Sequence, residues 1–201
     1  MVQDHIIRGW LLMDIDIDFA DRERALKLIR HVPAAINRKD GWVKHNTGVL
    51  VTDVPVDPFT GWSSLDYQEA EELGYVKLDL LNVHVYESVR DEKHLLELMD
   101  APPMWKMLEH RDFVEQIIHI NNHFDTLKRM PQPIDSIPRM AMFLAIIRPA
   151  KRHLIGLPWK DVADGVWDKP SDGSYYFKKA HAVSYAHLVA VHMNLLTRPS
   201  H

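Results

Sequence analysis

From Met13 to Phe19 the chain alternates apolar and acidic residues: Met13, Asp14, Ile15, Asp16, Ile17, Asp18, Phe19. A period of two is the period of a strand. It puts Asp14, Asp16 and Asp18 on one face and Ile15, Ile17 and Phe19 on the other. The next stretch, "ADRERALKLIRHV", spaces Ala25, Leu26, Ile29 and Val32 as a helix would. "TGVLVTDV" is a second short strand, "DVPVDPFTG" a turn set by Pro and Gly, and "SLDYQEAEELG" a short helix from near Ser64 to Gly74. "YVKLDLLNV" is a third strand, with Lys77 and Asp79 on one face and Leu78 and Leu80 on the other.

The second half changes period. "DEKHLLELM" reads as a short helix stopped by Pro102 and Pro103, and "RDFVEQIIHINNHFDTLKRM" as one longer helix. "SIPRMAMFLAIIRPA" is a very apolar helix with Pro138 in its first turn. "KDVADGVWDKPSDGSYYF" is loop-rich, and "KKAHAVSYAHLVAVHMNLL" is an apolar closing helix. These periods predict an α+β protein, with a small mixed sheet in the first half and helices in the second.

Composition narrows the setting. In 201 residues, 46% hydrophobic and 26% charged, there is room for one cored domain or two small lobes. The absence of cysteine excludes disulfides and thiolate metal sites. With no apolar run of membrane-span length and no signal-peptide features in "MVQDHIIRGW", the expectation is a cytoplasmic protein without a membrane partner. The net charge of −4 is unevenly divided. Residues 1–100 hold 11 Lys and Arg against 19 Asp and Glu, and residues 101–201 hold 13 against 9. A cation site in the first half beside an anion-binding lobe in the second is one reading of that division, and the chance variation found among soluble proteins is the other.

Three carboxylates at roughly 7 Å intervals on one strand face repel one another. A hard divalent cation with oxygen ligands would relieve the repulsion. A solvated acidic strand is the alternative. A calcium loop is excluded, because Phe19 follows Asp18 where glycine is needed and Ala25 holds the twelfth position. Asp79 adds a costly charge to an otherwise apolar strand. Two acids from one strand and one from its neighbour is an arrangement that holds two metal ions for phosphoryl transfer. Lys77 fits either a phosphate or a plain salt bridge to Asp79 or another acid.

The order of these segments resembles one family, the bacterial replicative DNA polymerase III alpha subunits, or C-family polymerases. "MDIDIDF" (13–19) resembles that family's "PDFDVDF" palm strand, and "KHNTGVLV" (44–51) its "KHAGGVVI". "LDYQEAEELGYVKLDLLNV" (65–83) is similar to "FDKxDVExxGLVKFDFLGL". "AIIRPAK" (145–151) resembles "ALYRPGP", and "FKKAHAVSYAHLVAV" (177–191) resembles "FNKSHSAAYALVSYQ". The resemblance implies a nucleotidyltransferase-type palm over residues 1–95 and a helical fingers lobe over 96–201. Asp16, Asp18 and Asp79 would be the catalytic, metal-binding acids, with two Mg²⁺ ions for which Mn²⁺ may stand in. Asp14 matches an acid not counted as a ligand. Lys77, Arg148, Lys179, His181, Lys44 and His45 would face the incoming nucleotide.

The partners implied are primer-template DNA and a deoxynucleoside triphosphate, in a bacterial or virus-infected cell. Departures are plain. The family's Gly-Ser motif and thumb have no counterpart, Thr47 replaces the first glycine of "KHAGG", and "RPAK" replaces "RPGP". A second polypeptide supplying the thumb and triphosphate-binding parts is therefore one expectation. A non-catalytic DNA-binding or replisome-interaction protein is the alternative. A rival from another class is a zinc hydrolase using His119 and His123 of "HINNH", spaced i, i+4; the zincin signature would need glutamate at 120, where Ile stands.

Overall fold

A computed structural model describes residues 16–172 and 174–198. Asp14 and the start of the expected first strand lie outside the described residues. The chain divides into two units, Met1–Ser88 and Val89–His201.

The first unit is built on a four-stranded mixed sheet of order β1-β4-β3-β2. Its strands are β1 (Asp16–Phe19), β2 (Val32–Arg38), β3 (Gly41–Leu50) and β4 (Lys77–Asn82). β1 runs parallel to β4; β3 is antiparallel to both β4 and β2. Helix α1 (Arg22–Leu26) is only five residues long, capped by the Asp21 side chain. The expected continuation to Val32 does not occur, since Val32 opens β2. "VPAAINR" lacks a run of β-branched residues, and its pairing with β3 makes it a strand. Lys39 and Asp40 close the β2–β3 hairpin, and Gly41 follows at φ +120, a conformation that side chains rarely adopt.

The ladder between β2 and β3 slips. Pro33 pairs with Val49 and Ala35 with Lys44, so Ala34 alone stands against the four residues from His45 to Gly48. This large bulge is where the candidate site is built. Helix α2 (Tyr67–Glu72) starts at Asp66, whose side chain accepts from Gln68 N–H. It ends before Gly74 at φ +88, a left-handed stop that glycine permits. Ala70 packs with Ala34, Leu50 and Val54 to form a small core under Tyr67 and Tyr75.

The second unit is helical. α3 (Glu92–Asp100) is capped by Asp91 and gives way at Ala101 before the two prolines. The single helix expected over 111–130 is broken into α4 (Arg111–Val114) and α5 (Phe124–Lys128). Between them His119 takes φ +67, which no helix accommodates. α6 (Ile137–Ile146) begins with Pro138 in its first turn, and α7 (Trp159–Gly165) starts one residue before the stretch read as loop-rich and takes up its first six residues. α8 (Lys179–Thr197) packs along α6. Met140, Phe143, Leu144, Val189 and Met193 from these two helices are at the centre of the unit's core. Among the described residues, no helix is long and apolar enough to cross a membrane.

Candidate functional site

Parallel pairing sets Asp16 opposite Asp79, so two acid-bearing strands far apart in sequence are neighbours. Asp18 lies two residues along β1, in register with Leu81. It is exposed, and its charge, after burial, helps raise the Tyr86 phenol.

Asp79 and Lys77 are both buried, 9% and 7% exposed, although both are ionisable. Burial of that kind is tolerated only when the charges satisfy each other. Lys77 Nζ donates to Asp79 Oδ2 and stands 3.6 Å from Glu71 Oε1. Its ammonium also lies 5.5 Å from the centre of the Tyr67 ring. The other oxygen, Asp79 Oδ1, accepts from the Thr47 hydroxyl at 2.7 Å. Burial pushes the Asp79 carboxyl up, but the hydrogen bonds from Lys77 and Thr47 outweigh it and hold the group below the usual range.

Thr47 reaches Asp79 because of the bulge. His45 Nδ1 accepts from Gly48 N–H at 2.8 Å and from Thr47 N–H at 3.3 Å, folding the chain around its own imidazole. Nδ1 therefore carries no proton, and the neutral ring keeps its hydrogen on Nε2. Asp79 Oδ1 is 3.8 Å from that same nitrogen, but this is no ion pair: burial wins over the carboxylate's pull and lowers the His45 pKa. Gly48 has to be glycine here, since a Cβ would stand 2.9 Å from His45 Nδ1 and 3.1 Å from its Cγ. The His45 ring meets Tyr67 edge-on at 5.2 Å. Arg22 fastens the outside of the bulge: its Nη2 donates to Thr47 O at 3.3 Å and its Nε to Leu80 O at 2.9 Å.

The cluster thus gathers Lys77, Asp79 and His45 from the sequence reading, and adds Thr47, Glu71, Tyr67 and Arg22. Thr47 was visible in the sequence only as a departure from the resembled motif; that departure is the residue that donates to Asp79. Lys44 is exposed on β3, paired in register with Ala35, and is not part of the cluster. In the second unit, Arg148 follows α6, its guanidinium carbon 4.0 Å from the centre of the Phe177 ring. Lys179, exposed, begins α8, and His181 lies half-buried two residues on. His192 and Asn194 serve packing: His192 Nδ1 accepts from Ile118 N–H, and the Asn194 amide donates to Leu98 O and Ala101 O. His119 and His123 do not share a helix face, because the helix that would align them is interrupted.

Among the described residues, no three His, Asp or Glu side chains are gathered so as to hold a metal ion. Asp79 faces Asp16 in backbone register, and its carboxylate already draws the Lys77 ammonium. Loading such an ion would require Lys77 to release Asp79. No family model, no curated protein and no solved structure matches the chain.

Proposed function

We propose that the chain is a DNA-directed DNA polymerase of minimal form, or one part of a split enzyme, transferring a nucleotide from a deoxynucleoside triphosphate to a primer 3′-hydroxyl. The observation that carries this reading is the parallel β1–β4 pairing, with Asp16 opposite Asp79. It is the neighbour relation that the ordered motifs require and that no single motif encodes. Asp16, Asp18 and Asp79 are the residues that would hold Mg²⁺ (two ions, or Mn²⁺ in their place), which when bound supplies Lewis-acid stabilisation of the triphosphate and the attacking hydroxyl. Lys77, which also stands 3.6 Å from Glu71, would turn its ammonium from Asp79 toward a phosphate oxygen. The Nε2–H of His45 is the donor left to that ring. The resemblance assigns Arg148, Lys179, His181 and Lys44 to the nucleotide as well.

Primer extension with Mg²⁺ or Mn²⁺ tests the reading. Wild type, alone or with a partner chain carrying a thumb, is expected to incorporate nucleotides, and Asp16→Ala and Asp79→Ala to abolish incorporation. A wild type that incorporates nothing in either setting refutes catalysis, and active variants refute the site assignment. One observation favours the second reading, a non-catalytic DNA-binding or replisome-interaction protein: both oxygens of Asp79 are engaged within the chain. Saturable primer-template binding without incorporation would select it.

A further inference from the structure

Residues 130–135, between α5 and α6, form neither helix nor strand, yet hydrogen bonds from other segments pin them. The Trp159 indole donates to Gln132 O at 3.1 Å, and the Trp159 N–H to Gln132 Oε1 at 3.2 Å. Arg139 donates to Pro133 O at 3.1 Å and to Asp135 Oδ2 at 2.8 Å. The Gly156 N–H donates to Met130 Sδ at 3.4 Å. Between this pinned segment, residues 105–109 and the end of α5 lies a cavity of about 380 Å³. Its walls are therefore preformed, and its volume falls at the small end of the range for small-molecule sites, roughly 300–1,000 Å³.

The lining is sorted by depth. Leu108, Met130 and Ile134 are buried and form an apolar floor. Trp105, Leu127 and Pro133 are more open to solvent. An indole, a proline ring and a thioether offer flat or adaptable apolar surface, which suits a ring system. The rim carries the charges, on exposed Lys106, Glu109, Lys128 and Asp135. Asp135 is already taken by Arg139. Among the described residues neither Lys106 nor Lys128 has a carboxylate partner, and Lys128 Nζ rests 5.4 Å from the centre of the Phe124 ring. Two open lysines against one open glutamate leave the rim with a surplus of positive charge.

We propose that this cavity binds a small aryl carboxylate, its rings on the apolar floor beside Trp105 and its carboxylate accepting from the Lys106 and Lys128 ammonium groups. A neutral ring system would gain only the burial of its apolar surface. A carboxylate on the same rings adds charge-assisted hydrogen bonds at the rim, where a cation would meet the surplus of its own sign. A nucleotide would bring several negative charges and a polar sugar to walls that are mostly apolar, and nothing here offers an arginine fork for its phosphates. A cavity of this volume holds one ring system rather than a run of side chains. The site uses the second unit alone and does not rest on the nucleotidyl-transfer reading. Trp105, Lys106 and Lys128 lie outside every motif quoted for that reading.

The test is nuclear magnetic resonance titration of the full chain with 2-naphthoate. The comparison ligands are 2-naphthylmethanol, the same rings without charge, and 2-naphthylmethylamine, the same rings as a cation. Naphthoate is expected to bind saturably with a Kd of about 1 mM or tighter, and at least fivefold more tightly than the alcohol. The Trp105 indole N–H, identified among the six tryptophans by its loss in Trp105→Phe, must shift as the site fills. Combining Lys106→Met with Lys128→Met, both at exposed positions that tolerate exchange, is expected to bring the acid and the alcohol within about twofold of each other. Should Trp105→Phe fail to fold, the three-ligand comparison and the lysine variant still decide. No saturable binding, an alcohol or amine that matches the acid, indole resonances that do not move, or an acid preference that survives the lysine variant overturns the proposal. A capped peptide with naphthylalanine beside an aspartate, bound at least tenfold more tightly than naphthoate, makes a protein segment the occupant and also overturns it. A failed primer extension leaves these outcomes untouched, because neither primer nor metal enters them.

Discussion

Replacing Lys77 with methionine isolates what holds the Asp79 cluster together. The substitution keeps most of the stem volume and removes the ammonium. Asp79 Oδ1 retains the Thr47 hydroxyl at 2.7 Å, but Oδ2 loses its only donor among the described residues, and the Lys77 side chain that shielded it is itself 4% exposed. Desolvation of the carboxylate has already been met in the wild type, so the variant keeps that cost without the compensating charge. Breaking a buried pair in this way costs about 3–5 kcal/mol. The remaining Thr47 bond and the 12% exposure of the Asp79 side chain put the expectation near the lower end, about 3 kcal/mol.

The assay should read the sheet itself, because two units need not unfold together. Amide exchange of the β3–β4 ladder does this, for instance at Val51, whose N–H donates to Val76 O at 3.0 Å. A loss of about 3 kcal/mol lowers protection more than a hundredfold, at about 1.4 kcal/mol per factor of ten. The double variant Lys77→Met, Asp79→Leu removes both charges and should recover to within about 1 kcal/mol of wild type. A single variant costing under about 1 kcal/mol, or a double variant no better than the single, would refute the argument that mutual neutralisation is what makes this burial tolerable.

Two further outcomes follow. Gly48→Ala pushes a Cβ into the His45 ring and should cost about 1–3 kcal/mol by overpacking; ring ¹⁵N shifts should show His45 losing its fixed Nε2–H tautomer, and an unchanged tautomer would count against the bulge geometry. Burial and the Arg148 charge lower His119 to about 4, so between pH 6.5 and 4 the unfolded chain binds the proton that the folded chain refuses. Stability is then full above pH 6.5 and falls as pH drops toward 4, by about 2 kcal/mol after discounting the ring's partial exposure. Urea denaturation at pH 7 and 4.5 checks this against His119→Asn; an equal pH dependence in the two proteins would sink it.

The elements legible in the sequence were those whose burial pattern is local. β4 was readable because Leu78 and Leu80 alternate with Lys77 and Asp79, and α8 because apolar residues recur along it with no proline. β2 was not, because Pro33, Ala34 and Ala35 have no intrinsic strand signal and only the hairpin partner fixes them. The break at His119 was missed for a related reason: "HINNH" continues a helical spacing, and the asparagines that weaken it count for little in a periodicity. In the site, the salt bridge of Lys77 to Asp79 stood among the alternatives. Thr47 could not be found by period or charge, since a threonine donating across a bulge depends on where the slip occurs.

The slip in the β2–β3 ladder also acts on parity. Side chains change face with every residue along a strand, so an odd number of inserted residues exchanges the two faces beyond it. Lys44 and Val49 are five positions apart on β3, yet their partners Ala35 and Pro33 are only two apart on β2. The hairpin tip and the β4-paired end of β3 therefore form separately phased halves of one strand. The segment 45–48 therefore uncouples the hairpin tip, held in register by Ala35 to Arg38 of β2, from the end of β3 that pairs Gly48 with Asp79, and strict alternation does not carry across it.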